Sequence, residues 1–234
     1  MDRHAGGRLA VGQGQARLTL PCMPGPTANL CSPDRPLATG SAVDPHADTW
    51  LTERCAEVAA GDVTALAIAF GHAGRRHPDS AAARLHLVLA IPAHDPTSWL
   101  AVLDQLFATA GLEELVTLYR GLPVYPHPEL LRERCATGVR STMQAVFEAV
   151  ALDNSYPAQW LDEGALNQLV LKAFFLGCDP RRINGLRARV NVRLGQMLRG
   201  YVRERQAAHR PIPLGLDEVA AWCESESESE RAAL

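Results

Sequence analysis

The sequence predicts an all-α protein, either an antiparallel helical bundle or a short α-solenoid, and three observations carry that prediction. Asp or Ser residues able to cap a helix, several followed by a proline in the first turn, precede segments whose apolar residues recur three and four apart. Glycines close many of these segments. Alternating apolar patterns that would mark strands are nearly absent.

Residues 1–44 are rich in Gly, Pro, Ser and Thr, and Pro21, Pro24, Pro26, Pro33 and Pro36 break any helical period; they form an expected disordered leader. A helical domain is expected over residues 45–223. Its first helix covers about residues 48–60 and ends at Gly61, and Asp62 caps a second that runs towards Arg76. Asp79 or Ser80 opens a third, in which residues 86–91 fit either helix or strand. Asp95-Pro96 opens a fourth, carrying Trp99, Leu100, Leu103, Leu106 and Phe107, with Gly111 closing it. A short helix over residues 112–120 stops at Gly121. The prolines Pro123, Pro126 and Pro128 make residues 122–128 an extended loop bearing Tyr125 and His127.

From Glu129 a long helix is expected, with Val139, Met143, Val146, Phe147 and Val150 as its core stripe and Arg140, Gln144 and Glu148 as a continuous polar line on another face. Asn154-Ser155-Tyr156-Pro157 reads as a turn, and Pro157 can open the next helix. Leu166, Leu169, Val170, Ala173 and Phe174 form a further stripe. With Leu171, Phe175 and Leu176 added, that helix is apolar on nearly every side and belongs in the middle of the fold. Gly177 ends it, residues 179–185 form a loop, and a last long helix buries Leu186, Val190, Leu194, Met197, Leu198 and Tyr201. Arg189, Arg199 and Arg203 fall opposite that stripe as a solvated face. The alternating Glu and Ser of residues 224–230 cannot bury a face, so residues 224–234 are expected as a disordered acidic tail.

The chain has 234 residues, 47% hydrophobic, with a formal net charge of −3, which suits one globular domain. No apolar run reaches the roughly 18 residues of a membrane span, and no signal-peptide h-region precedes Pro21, so a soluble cytoplasmic protein is expected. Cys22, Cys31, Cys55, Cys135, Cys178 and Cys223 are scattered and read as reduced thiols. Neither they nor the eight histidines have the spacing of a metal site, so no metal and no cofactor is expected. The signatures of phosphate loops, dinucleotide sites, zincins and serine hydrolases do not occur. Residues 181–210 hold nine arginines against Glu204 alone, but no interleaved aromatics offer a stacking platform, and no nucleic-acid partner is expected.

The candidate functional residues are Arg140, Glu148, Asn167, Gln168 and Lys172. Asn167, Gln168 and Lys172 are polar groups on an apolar helix and need partners if buried. Lys172 is the only lysine beside 22 arginines. In apolar surroundings it must pair with a carboxylate, Glu148 or Glu163, or lose its proton. A pocket in which Lys172 and Arg140 hold an anion while Glu148 accepts a proton is the sharper alternative.

The motifs Gly121-Leu122-Pro123, Pro126-His127-Pro128-Glu129, Gly138-Val139-Arg140-Ser141 and Ala145-Val146-Phe147-Glu148-Ala149 together resemble the EboA family of bacterial metabolite-traffic proteins. The resemblance continues through Asn154, Tyr156-Pro157-Ala158, Asp162-Glu163, Asn167-Gln168, Val170-Leu171-Lys172-Ala173, Ile183, Gly185-Leu186 and the segment from Met197-Leu198 to Tyr201. Thr142, Ser155 and Leu166 stand where the family commonly has Asn, Pro and Trp, and the loop at residues 179–182 differs. The resemblance implies a helical cytoplasmic protein encoded beside a prenyltransferase-like membrane protein, a sugar-phosphate-cyclase-like enzyme and barrel-fold enzymes. It implies a role in moving secondary-metabolite precursors, as an accessory or binding protein that acts with those partners and with a small-molecule metabolite. An enzyme using Arg140, Glu148 and Lys172 on a small anionic or polyol metabolite is the alternative.

Overall fold

The computed structural model describes residues 49–232, with side chains through residue 226. The expected leader at residues 1–44 lies outside them. Among the described residues there are eleven α-helices, four short 3-10 turns and no strand. The first half follows the local signals closely. Helix α1 (Thr49–Ala59) turns at Gly61 into α2 (Val63–Arg76), where Asp62 accepts the Ala65 N–H at 2.8 Å. Asp79 caps α3 (Ser80–Leu89) through Ala82 N–H, and residues 86–89 resolve as helix. Asp95 takes the N–H groups of Thr97 and Ser98 at the start of α4 (Pro96–Thr109).

Gly111 does not close α4. Ala110 does, and Gly111 is the N-cap of α5 (Leu112–Arg120), where its N–H donates to the Glu114 carboxylate at 2.8 Å. The segment expected as extended holds two 3-10 turns, Leu122–Val124 and Pro128–Leu131. Their prolines stand at the first turn positions, where a missing N–H costs nothing. Tyr125 between them folds back on Gly121, where an added Cβ would meet the phenol oxygen at 2.3 Å.

The expected long helix after Glu129 is two helices, α6 (Arg132–Arg140) and α7 (Gln144–Ala151). Ser141 leaves the helical conformation, and its hydroxyl accepts the Met143 N–H at 3.1 Å, a local bond that competes with the helix ladder. The break turns Met143 outward, at 44% exposure, and interrupts the polar line of Arg140, Gln144 and Glu148. Helix α8 (Tyr156–Trp160) carries Pro157 in its first turn, and Asp162 caps α9 (Glu163–Leu176), which ends at Gly177 in the left-handed region. Buried Asn154 joins three of these elements, donating to the carbonyls of Tyr119 and Ala149 and accepting the Tyr156 N–H, each at 3.0 Å.

Helix α9 is not enclosed on every side. Phe175 is 63% and Leu176 37% exposed at its C-terminal turn, Phe175 with its ring 5.4 Å from that of Tyr201. Leu186 and Val190 are buried but precede the next helix; Leu186 lies in the 3-10 turn Leu186–Ala188, and Asn191 caps α10 (Val192–Ala207). Met197 is only half-buried. The chain then adds a helix absent from the sequence expectation, α11 (Leu216–Ala232). Leu216, Val219 and Cys223, spaced three and four apart, are its buried face. It carries on as helix through the acidic run expected to be a tail. Glu224, Ser225 and Glu226 are exposed on this helical backbone.

Each helix packs chiefly on near neighbours in the chain: α1, α2 and α3 on one another, α3 on α5, α5 on α7, α7 on α9, α9 on α10 and α10 on α11. The buried side chains nevertheless form one continuous core. Close approach fixes small residues: a Cβ on Gly138 would lie 2.5 Å from the Tyr119 ring and 2.6 Å from Val150. Gly138→Ala is therefore expected to destabilise by about 1–3 kcal/mol through overpacking. Gly200→Ala on α10, where nothing lies within 4 Å, should stabilise by about 0.5–1 kcal/mol through helix propensity. Urea denaturation of the two variants checks both signs.

Candidate functional site

None of the five residues selected from sequence lines the three hollows described below. Arg140 is exposed and donates to Glu133 at 2.7 Å and Thr137 at 3.3 Å on its own helix. Glu148 is half-buried and accepts from Gln144 Nε2 at 2.7 Å; the Cys178 thiol lies 4.0 Å from its carboxylate. Burial first, and that carboxylate second, push the Cys178 thiol up to about 11. Gln168 is exposed rather than buried. Asn167 is buried and exchanges two 3.1 Å hydrogen bonds with Asn191, which accepts the Leu194 N–H at 2.8 Å as the cap of α10.

Lys172 is not paired with Glu148 or Glu163. Its Nζ donates to the Val139 carbonyl at 2.6 Å and the Ser141 carbonyl at 2.7 Å, and sits 4.8 Å from the Phe147 ring centroid. These are acceptors freed where α6 ends, so the single lysine satisfies the break between α6 and α7. Removal from water holds its pKa below the ordinary lysine range. Arg189 acts in the same way at another helix end. It leaves the expected solvated face and donates to the carbonyls of Ala158 and Leu161 at the end of α8.

A cavity with the form of a ligand site lies elsewhere, between α2 and α4. Trp99, Leu103, Leu106 and Phe107 turn inward, and Trp99 meets Tyr125 and His127 edge-on at 6.3 and 5.7 Å. Between the two helices is a cleft of about 180 Å³ whose walls include Val58, Val63, Leu66, Ile91, Trp99 and Val102. Its mouth is polar: Asp62, His94, Asp95 and Ser98, all exposed. Through Val63, Leu66 and Val102 it adjoins a second hollow of about 240 Å³ lined also by Ala67, Gln105, Leu106 and Thr109.

The two carboxylates at the mouth are committed to their helix ends. The Ser98 hydroxyl, then the backbone N–H groups of Ser98 and Thr97, hold the Asp95 carboxyl below its usual range. Sequence reasoning missed the groove because its walls combine core residues such as Leu66, Trp99 and Leu106 with apolar residues beside the stripes, a combination that only the folded arrangement brings together. Val63, at 40% exposure on the first turn of α2, and Val102, beside the Trp99–Leu103–Leu106 stripe, were the available signal.

If Lys172 supports the α6–α7 break, Lys172→Met should lose about 1.5–3 kcal/mol, the scale of hydrogen bonds to a charged donor. Arg140→Ala, which breaks an exposed pair, should change stability by less than about 0.5 kcal/mol. Urea denaturation read by circular dichroism separates the two; equal, small losses would show that Lys172 carries no structural bond.

The family described as metabolite traffic protein EboA matches the chain over residues 64–220. No curated protein and no solved structure matches it. Among the described residues, no helix is long and apolar enough to cross a membrane. The matched span runs from the first turn of α2 into α11 and takes in both groove-forming helices, the Lys172 bonds and the Asn167–Asn191 pair. On that match, over more than half of its length, the chain belongs to the EboA family.

Proposed function

We propose that this protein is a non-catalytic cytoplasmic binding protein in secondary-metabolite traffic, holding a small, mostly apolar metabolite in the α2–α4 groove. Its partners in this reading are proteins of its own gene cluster, a prenyltransferase-like membrane protein and barrel-fold enzymes, to which the metabolite is presented or from which it is received. The observation that carries the proposal is the groove itself, with apolar walls from Val63, Leu66, Val102 and Leu106 and a polar mouth at one end. Each hollow alone is smaller than the roughly 300 Å³ at which small-molecule pockets begin; joined end to end they suit an elongated molecule with one polar terminus. The family description, metabolite traffic, agrees with a carrier of this kind.

A thermal-shift screen of cluster metabolites against wild type and Val63→Trp tests it. A ligand at about 100 times its Kd adds about 2.7 kcal/mol to folding stability. The expected result is a shift in wild type that the tryptophan, by filling the shared wall of both hollows, abolishes. A metabolite shift of equal size in Val63→Trp, or turnover of a metabolite by the purified protein, would overturn the reading.

A further inference from the structure

The nine arginines of residues 181–210 sort into two groups once their contacts are known. Arg181 is held by Asp179 at 2.8 Å, and Arg182 by Asp153 at 3.1 Å. Arg187 lies 5.8 Å over the Trp222 ring, Arg189 donates to the carbonyls of Ala158 and Leu161, and Arg205 donates to the Pro211 carbonyl at 2.6 Å. No described residue provides an ion pair or side-chain hydrogen bond to Arg193, Arg199, Arg203 or Arg210. Of these four, Arg199 and Arg203 line one hollow together. It measures about 270 Å³ and lies between α10 and the first turns of α11, with Val202, Leu216, Asp217 and Ala220 as the remaining wall.

Two like charges one helical turn apart repel and weaken the helix that carries them, a cost that a shared anion removes. A guanidinium is a planar fork matched to phosphate oxygens, and two forks facing one hollow can grip a single phosphate from two sides. Asp217 stands in the acidic first turn of α11 and makes no ion pair with either arginine among the described residues. A carboxylate in that position repels a bare polyanion but accepts a hydrogen bond, so it favours an anion that also bears a hydroxyl. Val202, Leu216 and Ala220 supply an apolar floor for the carbon skeleton.

We propose that the α10–α11 hollow is a second small-molecule site, in which Arg199 and Arg203 bind the phosphate of a hydroxylated phosphomonoester and Asp217 accepts from its hydroxyl. The site shares no residue with the α2–α4 groove and stands or falls independently of it.

Isothermal titration of the full-length protein with glycerol 3-phosphate and with inorganic pyrophosphate tests the assignment. Saturable one-to-one binding of glycerol 3-phosphate is expected, weakened about tenfold by Arg199→Gln or Arg203→Gln alone and lost in the double variant. Asp217→Asn should tighten pyrophosphate and weaken glycerol 3-phosphate. Arg193→Gln, an exposed arginine outside the hollow, should leave both unchanged. No saturable binding, retention of binding in the double variant, or an equal loss in Arg193→Gln would overturn the proposal, the last by showing only diffuse attraction to the basic face. All four positions are exposed, so the variants are expected to fold as the parent does.

Discussion

Every α-helix leaves its first N–H groups and last carbonyls without partners inside the helix, and the eleven short helices among the described residues multiply those ends. Satisfying them is the constraint on which this structure depends. At N-terminal ends the solution is local: Asp62, Asp79, Asp95 and Asp162 each accept from a backbone N–H two or three residues ahead. At C-terminal ends it is often remote. Lys172 reaches back 33 and 31 residues to the carbonyls of Val139 and Ser141, and Arg189 reaches the end of α8. The same requirement acts in the interior, where Asn154 joins α5, α7 and α8 through three backbone groups.

This constraint redistributes the meaning of the polar residues. A lone lysine or a buried asparagine on an apolar helix has the look of a reactive group, yet Lys172 and Asn167 are occupied in holding helix ends. The groups left for ligands are those that no helix end claims. The wall of the α2–α4 groove combines core side chains with Val63 and Val102 beside them, and the α10–α11 hollow is lined by two arginines that have no ion pair or side-chain hydrogen bond among the described residues. A protein of this design can separate its work, with polar groups at helix ends giving rigidity and the seams between helices giving recognition. Membership of a metabolite-traffic family is consistent with that division.

The break between α6 and α7 shows where sequence periodicity misleads. Val139, Met143, Val146, Phe147 and Val150 keep a helical rhythm straight through Ser141, because both flanking segments are helical and the gap has nearly the length that preserves the phase. Nothing local to Met143 marks it as exposed. What makes the break affordable is a cation from α9, on a helix more than thirty residues away, which takes the carbonyls the ladder gives up. The acidic run after Cys223 is the opposite case. Its alternating Glu and Ser offer no apolar stripe, but helical backbone needs none of its own when the preceding turns of α11 already anchor the helix on Leu216, Val219 and Cys223.

Helix class, the N-terminal caps Asp62, Asp79 and Asp95, the stop at Gly177 and the core stripes of α4 and α9 were all legible in the sequence. Each rests on interactions within a few residues, and the family resemblance was legible in the motifs from Gly121 onward. The partners of Lys172, Asn167 and Arg189, the exposure of Phe175 and Gln168, and the seams between α2 and α4 and between α10 and α11 were not. Hydrogen bonds that span 24 to 33 residues depend on which helices are neighbours, and that is decided by packing of the whole core. A side chain's type and spacing state what it needs; only the folded arrangement states what it is given.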